Sequence, residues 1–156
     1  NGMKGKDTKI CARGSRPSCS WPSVCHNLDT SHRELTDLYK KVSRLPGIKK
    51  AFIGSGIRYD LLLNGWNRNA GRGESEYFEE LIKDHISGRL KVAPEHTSRH
   101  VIYLMRKVPF ELFRELKKQF DRITAKEGLN YEIVPYFISS HPGCTEKDMK
   151  LSLIHI

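Results

Sequence analysis

A chain of 156 residues with 29% charged and 38% hydrophobic content has the material of one soluble domain, and its apolar stretches, none longer than a strand, exclude a bilayer span. The net charge of +9 is spread over separated pairs such as Lys40-Lys41, Lys49-Lys50 and Lys117-Lys118, which reads as a solvated surface rather than a nucleic-acid stripe. The first ten residues hold three Lys and no apolar core, so no secretory signal is visible, and four Cys without one place the chain in a reducing, cytoplasmic compartment.

Residues 1–29 have little periodicity and hold Cys11, Cys19 and Cys25 among Ser, Pro, Arg and Asn, a Cys-containing loop segment. Ser31-x-x-Glu34 reads as a capping box opening a helix, with Leu35, Leu38, Tyr39, Val42 and Leu45 at helical spacing and Pro46-Gly47 as the stop. Residues 50–54 form the first predicted strand, and the Gly- and Asn-rich residues 64–73 a loop. Tyr77, Phe78, Leu81, Ile82 and Ile86 make a second helix closed by Gly88, and residues 90–93 a second strand. A third helix carries Val101, Leu104 and Met105. A longer one follows Val108-Pro109 through Phe110, Phe113, Leu116, Phe120 and Ile123 to Gly128. Residues 131–138 are the third strand, and Thr145-x-x-Asp148 opens a last helix by the same capping logic.

The alternation of strands and helices predicts an α/β fold with parallel strands joined by crossovers. Three polar strings follow its strands: Ser55-Gly56-Ile57-Arg58-Tyr59-Asp60, Ala93-Pro94-Glu95-His96 and Ser139-Ser140-His141-Pro142-Gly143. In such a sheet they emerge together at the carboxyl edge, where α/β proteins place their chemistry. Three strands cannot close a barrel, so the chain alone is expected to self-associate through its unpaired edges.

Both ends read as those of a fragment. Asn1 is not an initiator, and residues 151–156, LSLIHI, resemble the conceptual translation of a sequencing adapter. Residues 30–150 are then the folded part.

The strings Cys19-Ser20-Trp21-Pro22-Ser23-Val24-Cys25-His26-Asn27-Leu28, GIKKAFIGSGIRYDL, SGRLKVAPEHT and VPYFISSHPGCTEKDM together resemble the YgiQ-type radical SAM proteins, over about residues 11–150. The resemblance implies a partial TIM-like radical SAM barrel, of which the chain holds the third, fourth and fifth strands. It also implies a 4Fe-4S cluster that cleaves S-adenosylmethionine (SAM) to a 5′-deoxyadenosyl radical. An electron donor such as flavodoxin or ferredoxin and a further substrate are implied as partners. By position, Glu95 and His96 fall where the superfamily meets the SAM ribose or carboxylate, and Ser140, His141 and Gly143 where it lies near the adenosyl part. The superfamily's cluster-binding CxxxCxxC is absent here. Cys11, Cys19 and Cys25 are separated by seven and five residues, which does not suit one cluster-wrapping loop, so the cluster ligands are expected upstream.

Each feature also has a plainer reading. Cys11, Cys19 and Cys25, with His26, suit zinc or an auxiliary Fe-S cluster, or are reduced thiols in a loop. Glu95 and His96 suit SAM, with Thr97 capping the next helix, or form a capping and ion-pair cluster. Arg58 meets the SAM carboxylate or substrate, or pairs with Asp60. His141 before Pro142 suits a fixed turn or a proton donor. Arg99 is a weaker carboxylate-binding candidate, and Cys144 reads as a small buried residue rather than a reactive thiol. Lys91, facing opposite to Leu90 and Val92, would suit a Schiff-base lyase. A non-catalytic metal- or RNA-binding module on the same fold is the alternative outside enzymes.

Overall fold

The computed structural model describes residues 5–7, 9, 18–67 and 73–154. Its elements run α1 (Arg33–Ser43), α2 (Tyr59–Asn67), α3 (Gly73–Asp84), β1 (Arg89–Glu95), α4 (Arg99–Leu104), α5 (Phe110–Glu127), β2 (Glu132–Phe137) and α6 (Glu146–Ile154). No helix among the described residues is long and apolar enough to cross a membrane. Cys11 lies outside the described residues.

β1 and β2 pair in parallel, from Arg89 opposite Glu132 to Val92 opposite Pro135, with α4 and α5 as the crossover between them. Parallel neighbours need such a long connection, and the helices then cover one sheet face. Along β1, Leu90 and Val92 are buried while Lys91 and Ala93 are exposed, so the period of two separates a core face from an open face. The register breaks between Val92 and Glu95, which turns both Pro94 and Glu95 inward.

The core lies between the buried sheet face and the helices. α5 contributes Phe110, Phe113, Leu116, Phe120 and Ile123, spaced three or four apart so that they share one stripe. Gly128 ends that helix at φ 65, a left-handed conformation glycine adopts without a Cβ clash. Phe78, Leu81 and Ile82 of α3 and Leu62 and Leu63 of α2 complete the cluster.

Three local expectations are corrected. Residues 50–54 are extended but form no ladder. The Ile53 amide donates to the His85 carbonyl at 2.8 Å, and His85 Nδ1 lies 2.9 Å from the Ala51 carbonyl oxygen. These groups are spent on the end of α3 rather than on β1. The segment does approach β1 at Gly56, where an added Cβ would lie 3.2 Å from the Lys91 carbonyl oxygen. The predicted loop at 64–73 starts later than expected, because α2 runs on to Asn67. Tyr59 through Leu63 are all buried, and Asp60 sits in the first turn, where a carboxylate suits the helix dipole. Finally, α1 opens at Arg33 rather than after Ser31. The Ser31 hydroxyl accepts from the Arg33 amide at 3.3 Å, and His32 takes the cap position without a side-chain capping bond.

At α6 the expected capping box is complete. Asp148 Oδ2 accepts from the Thr145 amide at 2.9 Å and hydroxyl at 2.6 Å, and Thr145 Oγ1 accepts from the Asp148 amide at 3.3 Å.

Candidate functional site

Glu95 ends β1 at φ 68, a left-handed conformation few side-chain-bearing residues adopt. Its carbonyl accepts from the Ile138 amide at 2.8 Å, and its carboxylate Oε1 accepts from Lys107 Nζ at 2.7 Å. Oε2 has no partner among the described residues. Beside it, Arg58 donates twice to Asp60, Nε to Oδ1 at 2.8 Å and Nη2 to Oδ2 at 2.6 Å. The ion pair read from the sequence is thus made, with Asp60 buried and Arg58 half exposed. Tyr59, between them in the chain, is almost fully buried, and burial first, then the charges of Asp60 and Glu95, push its phenol pKa upward.

Arg58, Tyr59, Asp60 and Lys107 line a cavity of about 190 Å³ together with Ser20, Ile57, Ala93, Arg106 and Val108; Glu95 is tied to it through its ion pair with Lys107. A neighbouring hollow of about 410 Å³ on the open sheet face shares Ile57, Arg58 and Ala93 with it and adds Lys91 and Tyr136. The loop at 18–28 reaches the cavity through Ser20. Trp21 holds it there, 5.5 Å from the Tyr103 ring and 5.7 Å beneath the Arg106 guanidinium. The carboxyl edge therefore gathers the first two polar strings and part of the Cys-containing segment.

His96 is not brought into that cavity. It is fully buried, its Nδ1 accepts from the Ser98 amide at 2.9 Å, and its Nε2 lies 3.4 Å from Cys144 Sγ. An amide N–H only donates, so in the neutral ring the proton sits on Nε2. Burial pushes the His96 pKa down, with His141 adding to the effect and Asp148 opposing it. Ser152 Oγ of α6 is 3.2 Å from Nδ1 and 2.8 Å from Thr97 Oγ1, so Thr97 is engaged by α6 while Ser98 takes the cap position of α4.

The third polar string lies over α4. His141 Nδ1 donates to the Pro142 carbonyl at 2.7 Å, Ser140 sits exposed at φ 58, and Gly143 has φ 84. The φ of Gly143 strains any side chain there, and a Cβ would lie 2.5 Å from the movable Leu104 Cδ1, so glycine is favoured chiefly by its backbone conformation. Arg99 is committed to Glu111, with Nη2 to Oε1 at 2.6 Å. The Cys19 carbonyl accepts from the Cys25 amide at 2.8 Å; Cys19 is exposed and Cys25 buried. No group of three His, Cys, Asp or Glu able to hold a metal ion occurs among the described residues.

Sequence reasoning passed over Tyr59, Arg106, Lys107 and Trp21. Arg106-Lys107 stands just before Val108-Pro109, and that pair of cations at a helix-ending turn was the available signal.

No family model and no solved structure matches the chain. Curated relatives do. A UPF0313 protein of Bacteroides thetaiotaomicron is 58% identical over 148 residues, covering 94% of this chain and 24% of that protein. The UPF0313 protein of Porphyromonas gingivalis is 53% identical, with 94% and 23% covered, and one of Pseudomonas aeruginosa 41% identical, with 86% and 17% covered. The chain is similar to UPF0313 proteins. UPF0313 is the YgiQ-like family, so the likeness runs to the family that the sequence strings resemble. The chain spans about a quarter of the length of the first two of these relatives.

Proposed function

We propose that this chain is one wall of a radical SAM enzyme and that the carboxyl edge of its sheet holds SAM. The observation that carries the reading is Glu95, which is fixed by backbone strain, by the ladder to Ile138 and by Lys107, yet keeps Oε2 without a partner among the described residues. A carboxylate so held suits a ribose, because its free oxygen accepts from hydroxyl donors that a bare ion pair leaves unused. Arg58 and Asp60 line the same edge and offer both signs of charge to a zwitterionic ligand. In such an enzyme SAM would supply the radical chemistry and a 4Fe-4S cluster the electron, while the residues of this chain would hold and orient the SAM.

The described residues do not fit that cluster. Cys19 and Cys25 are the described cysteines of the amino-terminal loop, and no third metal-binding side chain joins them. In this reading the cluster ligands belong to the larger part of the protein, consistent with relatives some four times longer than the chain. What the chain's own residues do is bind and orient: Glu95 takes the sugar, Lys107 holds its carboxylate in place, and the Arg58–Asp60 pair sets the adjacent wall.

The test is SAM binding to the intact parent protein. Glu95→Ala weakens binding by about tenfold or more, the scale of one or two hydrogen bonds to a charged group. Unchanged affinity removes Glu95 from the ribose role. SAM-dependent release of 5′-deoxyadenosine from the reduced parent tests the activity itself.

A further inference from the structure

The charges around the 190 Å³ cavity do not cancel, and one buried hydroxyl beside it is unspent. Arg58 is matched by Asp60 and Lys107 by Glu95. Arg106 also lines the cavity, but it has no carboxylate partner among the described residues; its guanidinium lies over the Trp21 ring. With Glu95 counted beside the lining, one positive charge is left over. Arg106 stands at φ 53, so a strained backbone presents this cation.

Tyr59 is only 4% exposed and has no hydrogen-bond partner among the described residues. Gln119 Oε1 is the one sealed side-chain polar atom without a partner among those residues, so the Tyr59 oxygen still reaches open space. The space that Tyr59 borders is this cavity. A phenol hydroxyl on a ring this buried, left without a protein partner and bordering a cavity, is available to a group bound there. Burial and the neighbouring carboxylates keep the phenol protonated, so it donates.

We propose that Tyr59 and Arg106 form a subsite for a single oxyanion, a carboxylate or a phosphate-type group, at the inner end of the carboxyl-edge site. The cavity is too small for a whole cofactor, since complete ligand pockets are about 300–1,000 Å³, but it accommodates one anionic group. The phenol donates one hydrogen bond, the guanidinium supplies the balancing charge, and Trp21 holds the guanidinium at the mouth. Two sources fit this chemistry: the α-carboxylate of SAM, or an acidic group on the second substrate. The subsite itself stands on the geometry; only its assignment to SAM rests on the reading above.

The experiment uses Tyr59→Phe and Arg106→Gln, with Arg106→Lys as a charge-preserving control, each checked for wild-type melting. In the intact parent protein, acetate and inorganic phosphate are titrated while the tryptophan emission is followed. In the intact parent, SAM and the carboxylate-free 5′-methylthioadenosine are titrated. If both variants weaken SAM about tenfold and leave 5′-methylthioadenosine unchanged, the subsite holds the SAM carboxylate. If SAM binding is unaffected but the saturable acetate and phosphate responses disappear, the subsite serves the other ligand. A wild-type parent with no saturable anion response, and whose SAM affinity neither variant changes, overturns the proposal. Saturable anion binding in a parent that never binds SAM sinks the radical SAM reading and leaves the subsite standing.

Discussion

Gly143 shows at single-residue scale how a motif letter divides between packing and chemistry. Its positive φ strains any side chain, while the 2.5 Å approach of Leu104 Cδ1 can be relieved by a leucine that is half exposed. Gly143→Ala therefore costs about 1–3 kcal/mol of stability, read as a lower midpoint in chemical denaturation. A variant as stable as wild type would show that α4 yields to the methyl group. Glu95 divides the other way, because its strained backbone and half-used carboxylate have no packing reason. Glu95 was legible in the sequence because a polar tail after a strand has a predictable place. The inward turn of His96 was not, since the register break that aims Glu95 is invisible in letters. Tyr59 and Arg106 were missed for a related reason: their meaning lies in what they do not touch.

At the scale of elements, α6 is held at its first turn by Asp148 accepting from both Thr145 donors. These bonds hold the Asp148 carboxyl at about 2, below its ordinary 3.8. The unfolded chain takes up the proton first, so the contribution is complete above about pH 4 and is lost as pH falls toward 2. Between those values the melting temperature of wild type falls more steeply than that of Asp148→Asn. Parallel curves would mean that the capping carboxylate does not titrate with folding. The helix α5, the strands β1 and β2 and the cap of α6 were all readable, because each has a strong period or a cap of fixed spacing. The helix α2 extends into the predicted loop, since a Leu run buried on all sides has no period to read. The extended residues 50–54 have strand composition, but where their hydrogen bonds go is decided by His85, thirty-odd residues away.

For the whole molecule, the sheet has two strands among the described residues, and large apolar side chains stand exposed at Phe52, Tyr136 and Ile138. An open parallel edge beside apolar surface recruits other strands. The chain expressed alone is expected to grow in apparent mass with concentration in sedimentation velocity, and a monodisperse, sharply melting species would contradict that. The bonds between residues 51–53 and His85 have a mechanical consequence. Glu95 is anchored through the ladder to β2, while the stretch leading to Arg58 and Asp60 is suspended from the end of α3. The two halves of the candidate site thus belong to different supports. Strain applied at the end of α3 would therefore reach the segment leading to Arg58 and Asp60 without passing through a rung of the sheet.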